Sequence, residues 1–258
     1  MSNDKNMDIR NFWNTQADRG LWAGSRDLIA KELEIKAIIS YITDGMDILD
    51  FGCGNGITAM ELARRFNSRV SGIDFAEEMI QSAKKLSKDI TFKGSVNFQT
   101  GDIQNLKFHS HKYDIIYTER MIINLPNWEA QKEAISLILS LLKPGGRYLM
   151  CENSQDGLDK INQYRKEILL PEITPPWHNR YIRDDEINNF NPLDITLEKI
   201  DYYSSTYYFL SRIINAWLAQ QEKKDPDYDS QINRLALSLP SYGDIGQGRI
   251  WIWRKLLE

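Results

Sequence analysis

Residues 48–63 read ILDFGCGNGITAMELA: an apolar run, three glycines at every second position, then apolar residues at helical spacing. Residues 46–52, MDILDFG, have the character of a strand, and 57–66, ITAMELARRF, that of a helix with one apolar stripe. A strand that runs through glycines into a helix opens a βα unit. Glycines at that turn let a ligand lie against bare backbone.

The same rhythm continues on the C-terminal side. Strand-like runs at 69–74 (RVSGID), 96–102 (VNFQTGD), 113–119 (YDIIYTE) and 146–152 (GRYLMCE) alternate with helical patterns at 76–86 and 129–142. KPGG at 143–146 reads as a helix stop followed by a turn. Strands separated by helices make a parallel sheet with right-handed crossovers. After Glu152 the rhythm breaks. Residues 153–193 hold the proline-punctuated, aromatic ILLPEITPPWHNRYI and read as an insertion. A strand at 195–204, a helical run at 207–221, a short helix near 229–239 and the alternating GRIWIWRK at 248–255 follow. The two late strands are expected to pair antiparallel at the sheet edge. The first 40 residues read as helix, with Phe12, Trp13 and Trp22 ahead of RDLIAKELEIKAIISYI. The expected organisation is a helical cover over 1–43 and one α/β domain over 44–258, with 153–193 as a cap.

With 258 residues, 42% hydrophobic and 26% charged, the chain has the composition of an ordinary globular protein. A net charge of −4 argues against a nucleic-acid partner held by a basic surface. The two cysteines, Cys53 and Cys151, suggest neither a disulfide framework nor a metal site. The opening MSNDKNMDIR lacks an apolar signal core, and runs such as LILSLL fall far below the roughly 20 residues of a membrane span. A cytoplasmic protein without a membrane span is expected, and either a monomer or a dimer is compatible with the sequence.

Three ligands compete for the glycine loop. A triphosphate loop needs a lysine after its last glycine; Gly56 is followed by Ile57 and Thr58. A dinucleotide loop has G-x-G-x-x-G; here Gly52, Gly54 and Gly56 make G-x-G-x-G, with Cys53 and Asn55 between them and Asp50 just before. A carboxylate beside the glycines repels pyrophosphate and suits a cationic ligand. Asp74 ends the second strand, where it can accept both hydroxyls of a ribose. Asp102 ends the third, within reach of an adenine amino group, with Ile103 packing on the ring. A nucleoside with positive charge and no phosphate describes S-adenosylmethionine.

DFGCGNG, GIDFAEEMI, TGDIQNL, YDIIYTERMIINLPN and LKPGGRYLMCE, in that order over about 44–152, resemble the successive motifs of class I S-adenosylmethionine-dependent methyltransferases. The resemblance implies a Rossmann-like sheet of seven strands in the order 3-2-1-4-5-7-6, strand 7 antiparallel. It implies that the methionine part of the cofactor lies near Asp50, Gly52 and Gly54, the ribose at Asp74, and the adenine at Phe75, Asp102 and Ile103. Met79 packs under the adenine or in the core. Glu119 and Arg120 would line the junction of cofactor and acceptor.

The acceptor is expected at the C-terminal ends of the strands. PPWHNRYIRDDE at 175–186 is the densest polar-aromatic cluster. Its Trp177, His178, Asn179, Arg180, Tyr181 and Arg183 combine an aromatic wall, anion donors and the one imidazole outside HSH at 109–111. HSH itself falls on the loop before strand 4, away from the chemistry. His178 is the expected general base if one is needed, Arg180 and Arg183 an anion clamp, and Asn124 a substrate hydrogen-bonder. Trp13 and Trp22 are expected to form a lid, and YYSSTYYFLSR at 202–212 core. Residues 157–182 and 22–35 resemble a bacterial subgroup associated with capsule and surface-polysaccharide gene clusters. That implies O-methylation of a small polar or anionic precursor: a sugar, a nucleotide-activated unit or a phosphoryl-type group. TERMIINLPNW lacks the Asn/Asp-Pro-Pro-aromatic motif of amino methyltransferases. A methyltransferase of an unrelated metabolite, a nicotinamide oxidoreductase and a non-catalytic cofactor-binding protein are the alternatives.

Overall fold

A computed structural model describes residues 2–103 and 112–257. The glycine-loop strand, β1 (Asp47–Phe51), is buried at all five positions and sits in the middle of a seven-stranded sheet. Around it lie β2 (Arg69–Asp74), β3 (Ser95–Thr100), β4 (Tyr113–Glu119), β5 (Leu142–Asn153), β6 (Ile195–Asp201) and β7 (Gly248–Lys255). The order is β3-β2-β1-β4-β5-β7-β6, as the resemblance implies. β1 pairs parallel with β2 and β4, whereas β7 pairs antiparallel with both β5 and β6.

Helices cover both faces. α1 (Ser2–Gln16), a 3-10 turn (Ala17–Trp22) and α2 (Leu28–Ile39) precede β1. α3 (Ile57–Arg65), α4 (Glu77–Ser87) and α5 (Trp128–Ser140) are the crossovers. α6 (Gln155–Glu167) and α7 (Asp184–Asn188) follow β5, and α8 (Ser205–Phe209), α9 (Ala216–Gln221) and α10 (Gln231–Leu235) lie between β6 and β7. Successive strand residues feed opposite layers, as the two-residue strand period requires. Leu49, Ile116, Tyr148, Met150, Trp251 and Trp253 enter one apolar cluster, and Ile48, Ile115, Tyr117, Leu149, Ile250 and Ile252 the other. Among the described residues, no helix is long and apolar enough to cross a membrane.

One expectation changes. KPGG is not a free turn: α5 stops at Ser140 and β5 already begins at Leu142, with an irregular register opposite Tyr113 and Ile115. The Gly145 left-handed φ of 78° absorbs that irregularity within the strand. Within the inserted stretch 153–193, α6 occupies the first third. Ser154 caps α6 by accepting from the Gly157 amide, and the Ser154–Ile182 bridge ties the far end of the segment back to β5. The helical run 207–221 is continuous, but its middle, Leu210–Asn215, is wound as π-helix.

Candidate active site

Where β1, β2 and β4 end, a cavity of about 710 Å³ opens at the point where the chain order reverses across the sheet. The glycine turn forms its floor. The Gly52 and Cys53 amides both donate to the Ile73 carbonyl, at 2.8 and 3.0 Å, folding the loop against the end of β2. Gly52 takes φ 81°, and a Cβ there would overlap the Met121 side chain. At Gly56, φ is 75° and a Cβ would overlap the Phe98 ring. These two positions accept glycine for steric and conformational reasons together.

Three carboxylates surround the loop. Asp50 is wholly buried behind it, and no hydrogen bond reaches either carboxylate oxygen. The adjacent Tyr117 hydroxyl eases its charge without aligning for a bond, while burial and the Glu119 charge push the Asp50 carboxyl well above its usual range. Asp74 accepts from the Gly54 amide and from the Ala76 amide, both at 2.8 Å. Burial outweighs those bonds and raises its pKa to about 6. Asp102 stands at the rim, 3.0 Å from the Arg10 guanidinium of α1.

A buried charge cluster forms the wall opposite. The Lys31 ammonium of α2 lies 2.7 Å from Glu119 Oε1, which also accepts from Thr58 Oγ1 at 3.1 Å. Arg120 Nη1 meets both Glu34 oxygens, at 2.8 and 2.7 Å, and the Tyr203 hydroxyl donates to Glu34 at 3.4 Å. Burial alone would neutralise these groups, and the alternation of two cations with two anions keeps them charged. Glu34 is accordingly held below the usual carboxylate range by Arg120 and Lys31, against the upward push of burial. Glu119, where burial prevails over Lys31, lies above it. Arg120 has the left-handed φ of 55°, uncommon outside glycine. Its amide donates to the Cys151 carbonyl at 2.9 Å, and the next three amides, Met121 to Ile123, donate to the Glu152 carboxylate at 3.1–3.3 Å. That clamp sets the aim of the loop after β4.

Residues 42–179 match the family described as "Methyltransferase domain", which is more than half of the chain. The chain belongs to that family. It is 29% identical over 147 residues to a demethylmenaquinone methyltransferase of Leptospira interrogans, covering 56% of this chain and 55% of the relative. It is 32% identical over 151 residues to a sterol 24-C-methyltransferase of Eremothecium gossypii, covering 57% and 40%. The chain thus spans about half the length of the curated relatives it matches. Among solved structures, the magnesium protoporphyrin IX methyltransferase of Synechocystis PCC 6803, with bound SAH, superposes with a TM-score of 0.60 at 15% identity, over 97% of this chain and 99% of that one. At that identity the likeness concerns the fold.

The cavity of this methyltransferase domain gathers Gly52, Cys53, Gly54, Asn55, Asp74, Phe75, Met79, Asp102, Ile103, Glu119, Arg120 and Asn124. Asp50 and Gly56 lie behind its surface. The Cys53 and Cys151 thiols are both pushed well up by burial, and neither is a poised nucleophile. The cluster at 177–183 is placed differently from the expectation, because none of its residues lines the cavity. The Arg180 amide donates to the Ile123 carbonyl and its guanidinium pairs with Glu186 and Gln131, so it braces the loop after β4 from behind. Arg183 faces Asp159 across 3.9 Å at the surface. Tyr181 is buried in the core, and the Asn179 amide donates to the Pro176 carbonyl. The His178 ring packs tilted against Phe12 at 4.6 Å, with Trp13 and Trp177 edge-on. Of the two tryptophans expected to form a lid, Trp13 lines the cavity and donates to Asn124 at 3.2 Å, while the Trp22 side chain lies outside the described residues. His109 and His111 also lie outside them. Missing from the sequence reading were Arg10, Leu28, Lys31 and Met121, which the fold brings to the cavity.

Proposed function

We propose that this chain transfers the methyl group of S-adenosylmethionine to an oxygen of a small polar or anionic acceptor. The observation that carries the reading is Asp50: a fully buried carboxylate with both oxygens unpartnered, directly beneath a glycine turn. Burial opposes the charged form of such a carboxyl, and a cationic ligand beside it restores that form. With Asp74 and Glu119 on either side, the floor suits a sulfonium nucleoside and disfavours pyrophosphate. The fit extends along the cavity, where Asp74 is placed to accept ribose hydroxyls and Phe75, Ile103 and Asp102 frame a slot for a purine.

When bound, S-adenosylmethionine supplies a methyl group already activated for in-line displacement. The chain contributes alignment, and in well-held systems orientation is worth roughly 7–11 kcal/mol of the barrier. To the acceptor side we assign Trp13, Leu28, Met121 and Asn124 of the cavity lining, together with Lys31 and Glu119. Glu119 is placed to take the proton of an alcohol, and Lys31 and Arg120 to hold an anionic group; these roles move from His178, Arg180 and Arg183 to residues of the cavity wall. The surface-polysaccharide precursor remains the proposed acceptor class, supported by the resemblance of 157–182. Calorimetry with S-adenosylmethionine and NAD, followed by S-adenosylhomocysteine release from sugars, carboxylates and phosphoryl compounds, tests the reading. Uptake of NAD in preference to the methyl donor overturns it.

A further inference from the structure

Helix α1 is not held by a broad apolar seam. Its described buried side chains are Ile9 and, at its last position, the polar Gln16, with Phe12, Trp13 and Asn14 half-buried. Polar and aromatic contacts fasten it at separate points around the cavity mouth. Trp13 reaches Asn124 on the loop after β4, Phe12 packs against His178, and Asn14 Oδ1 accepts from the Glu78 amide at the start of α4, at 3.3 Å. At the nucleoside end, Arg10 does two things at once: its Nη2 lies 3.0 Å from Asp102 Oδ2, and its guanidinium carbon stands 5.4 Å from the centre of the Phe75 ring. Asp102 and Phe75 frame the purine slot. The Arg10 side chain is 46% exposed, so the guanidinium closes the outer rim of the slot and does not fill it.

We propose that Arg10 is a positioning residue for the cofactor, a latch that holds α1 across the adenine mouth and sets how fast the nucleoside leaves. The inference rests on the S-adenosylmethionine reading. Geometry supplies the reason for an arginine. A planar cation can lie over an aromatic face while its N–H fork keeps hold of a carboxylate edge, and a lysine ammonium can do only one of these well. A carboxylate has further acceptor positions, so Asp102 can keep Arg10 and still accept from an exocyclic amino group. Adenine entering beside Phe75 adds a second π-face for the guanidinium, and the latch tightens when the site is filled. Because the pair is half exposed, dissolved salt weakens it.

The test is stopped-flow displacement of S-adenosylhomocysteine, followed by tryptophan fluorescence, in the intact chain between about 0.05 and 0.5 M salt. For the unsubstituted protein, dissociation accelerates with salt. Arg10→Ala raises the dissociation rate about fivefold to tenfold at low salt and abolishes most of the salt dependence. Arg10→Lys keeps the salt dependence but recovers only part of the slow release. A hypoxanthine analogue, S-inosylhomocysteine, which offers Asp102 an oxygen in place of the amino group, should leave faster from the parent and lose less on Arg10→Ala. Far-ultraviolet dichroism and melting temperature check that the variants fold. If the parent binds S-adenosylhomocysteine but Arg10→Ala releases it at the parent rate with the same salt dependence, the latch is wrong and the cofactor reading stands. If the parent binds none of it, both fall.

Discussion

Asp74 keeps its proton up to a pH of about 6 because burial outweighs two backbone hydrogen bonds, and that places a titration inside the cofactor site. A ribose hydroxyl donates to the charged carboxylate, so S-adenosylhomocysteine affinity should be flat above pH 7. Below pH 6 it should fall by about tenfold per unit, one proton having to leave for each ligand bound. Titration calorimetry across pH 5–8 checks it, and Asp74→Asn should bind weakly with no slope. Asp50 tests the electrostatic claim separately. Burial lifts its carboxyl, and a sulfonium lowers it again, so binding S-adenosylmethionine near neutral pH should release protons, seen as heats that vary with buffer ionisation enthalpy. Asp50→Asn should cost more affinity for the sulfonium than for the uncharged thioether of S-adenosylhomocysteine. Equal losses for the two would remove charge as the explanation. His178, expected at the acceptor, is not among the residues that line the cavity. An imidazole among arginines suggests chemistry, but the same pattern serves a histidine packed against Phe12 with Trp177 edge-on to it.

Helix α2 enters the molecule through one residue. Asp27 caps it by accepting from the Ala30 amide at 3.0 Å, and also takes the Tyr207 hydroxyl at 2.5 Å and the Arg212 guanidinium at 2.6 Å. Arg212 sits on the π-wound stretch Leu210–Asn215, against the rings of Tyr207, Tyr208 and Tyr228. Asp27→Ala therefore removes a cap, worth about 1 kcal/mol, and strands a buried cation, worth about 3–5 kcal/mol. Denaturant unfolding should show a loss near the sum, and Asp27→Asn, which can still cap, a smaller one. Elements with local causes were legible in advance: β2, β4 and β7 fall on 69–74, 113–119 and 248–255, because strand alternation and flanking turns are written within each segment. The wall of the site was legible only in half: Glu119 and Arg120 were expected at the junction of cofactor and acceptor, whereas Lys31 and Glu34 were not. Lys31 and Glu34 lie three apart on a helix whose sequence, KELE, reads as a solvated face, and their partners Glu119 and Arg120 come some 86–88 residues later. Only the packing of α2 over the end of β4 turns that face inward. The insertion misled for a related reason: prolines mark an irregular path but carry no information on which side of the loop after β4 it runs.

Across the whole molecule, two classes of carboxyl pull stability in opposite directions with pH. Asp47, Glu61, Glu198 and Asp244 are held below their usual values, chiefly by hydrogen bonds and ion pairs with cations, and their contribution is lost as pH falls below about 4. Asp74 and Glu152 are raised by burial, to about 6 and about 7; their contribution is complete below the unfolded value and is lost as pH rises through the folded one. The ligand-free chain should therefore be most stable near pH 5 and weaken towards pH 8. Glu152 contributes to that alkaline loss alongside Asp50 and Glu119, which burial also raises: its rise from 4.5 to about 7 corresponds to roughly 3 kcal/mol once the carboxylate must be buried charged. Glu152→Gln isolates it. Glutamine matches the neutral acid in shape, and its carbonyl can accept from the Met121 and Ile122 amides as Oε1 does now. Its amino end cannot accept from the Ile123 amide as Oε2 does, a loss of about 1 kcal/mol. Urea unfolding of the variant should thus give a stability below the parent's at pH 5 and above it at pH 8, the two curves crossing between. Parallel curves would mean that Glu152 does not change its protonation within this range, and that the pH response of the fold arises at the other raised carboxyls, Asp50, Asp74 and Glu119.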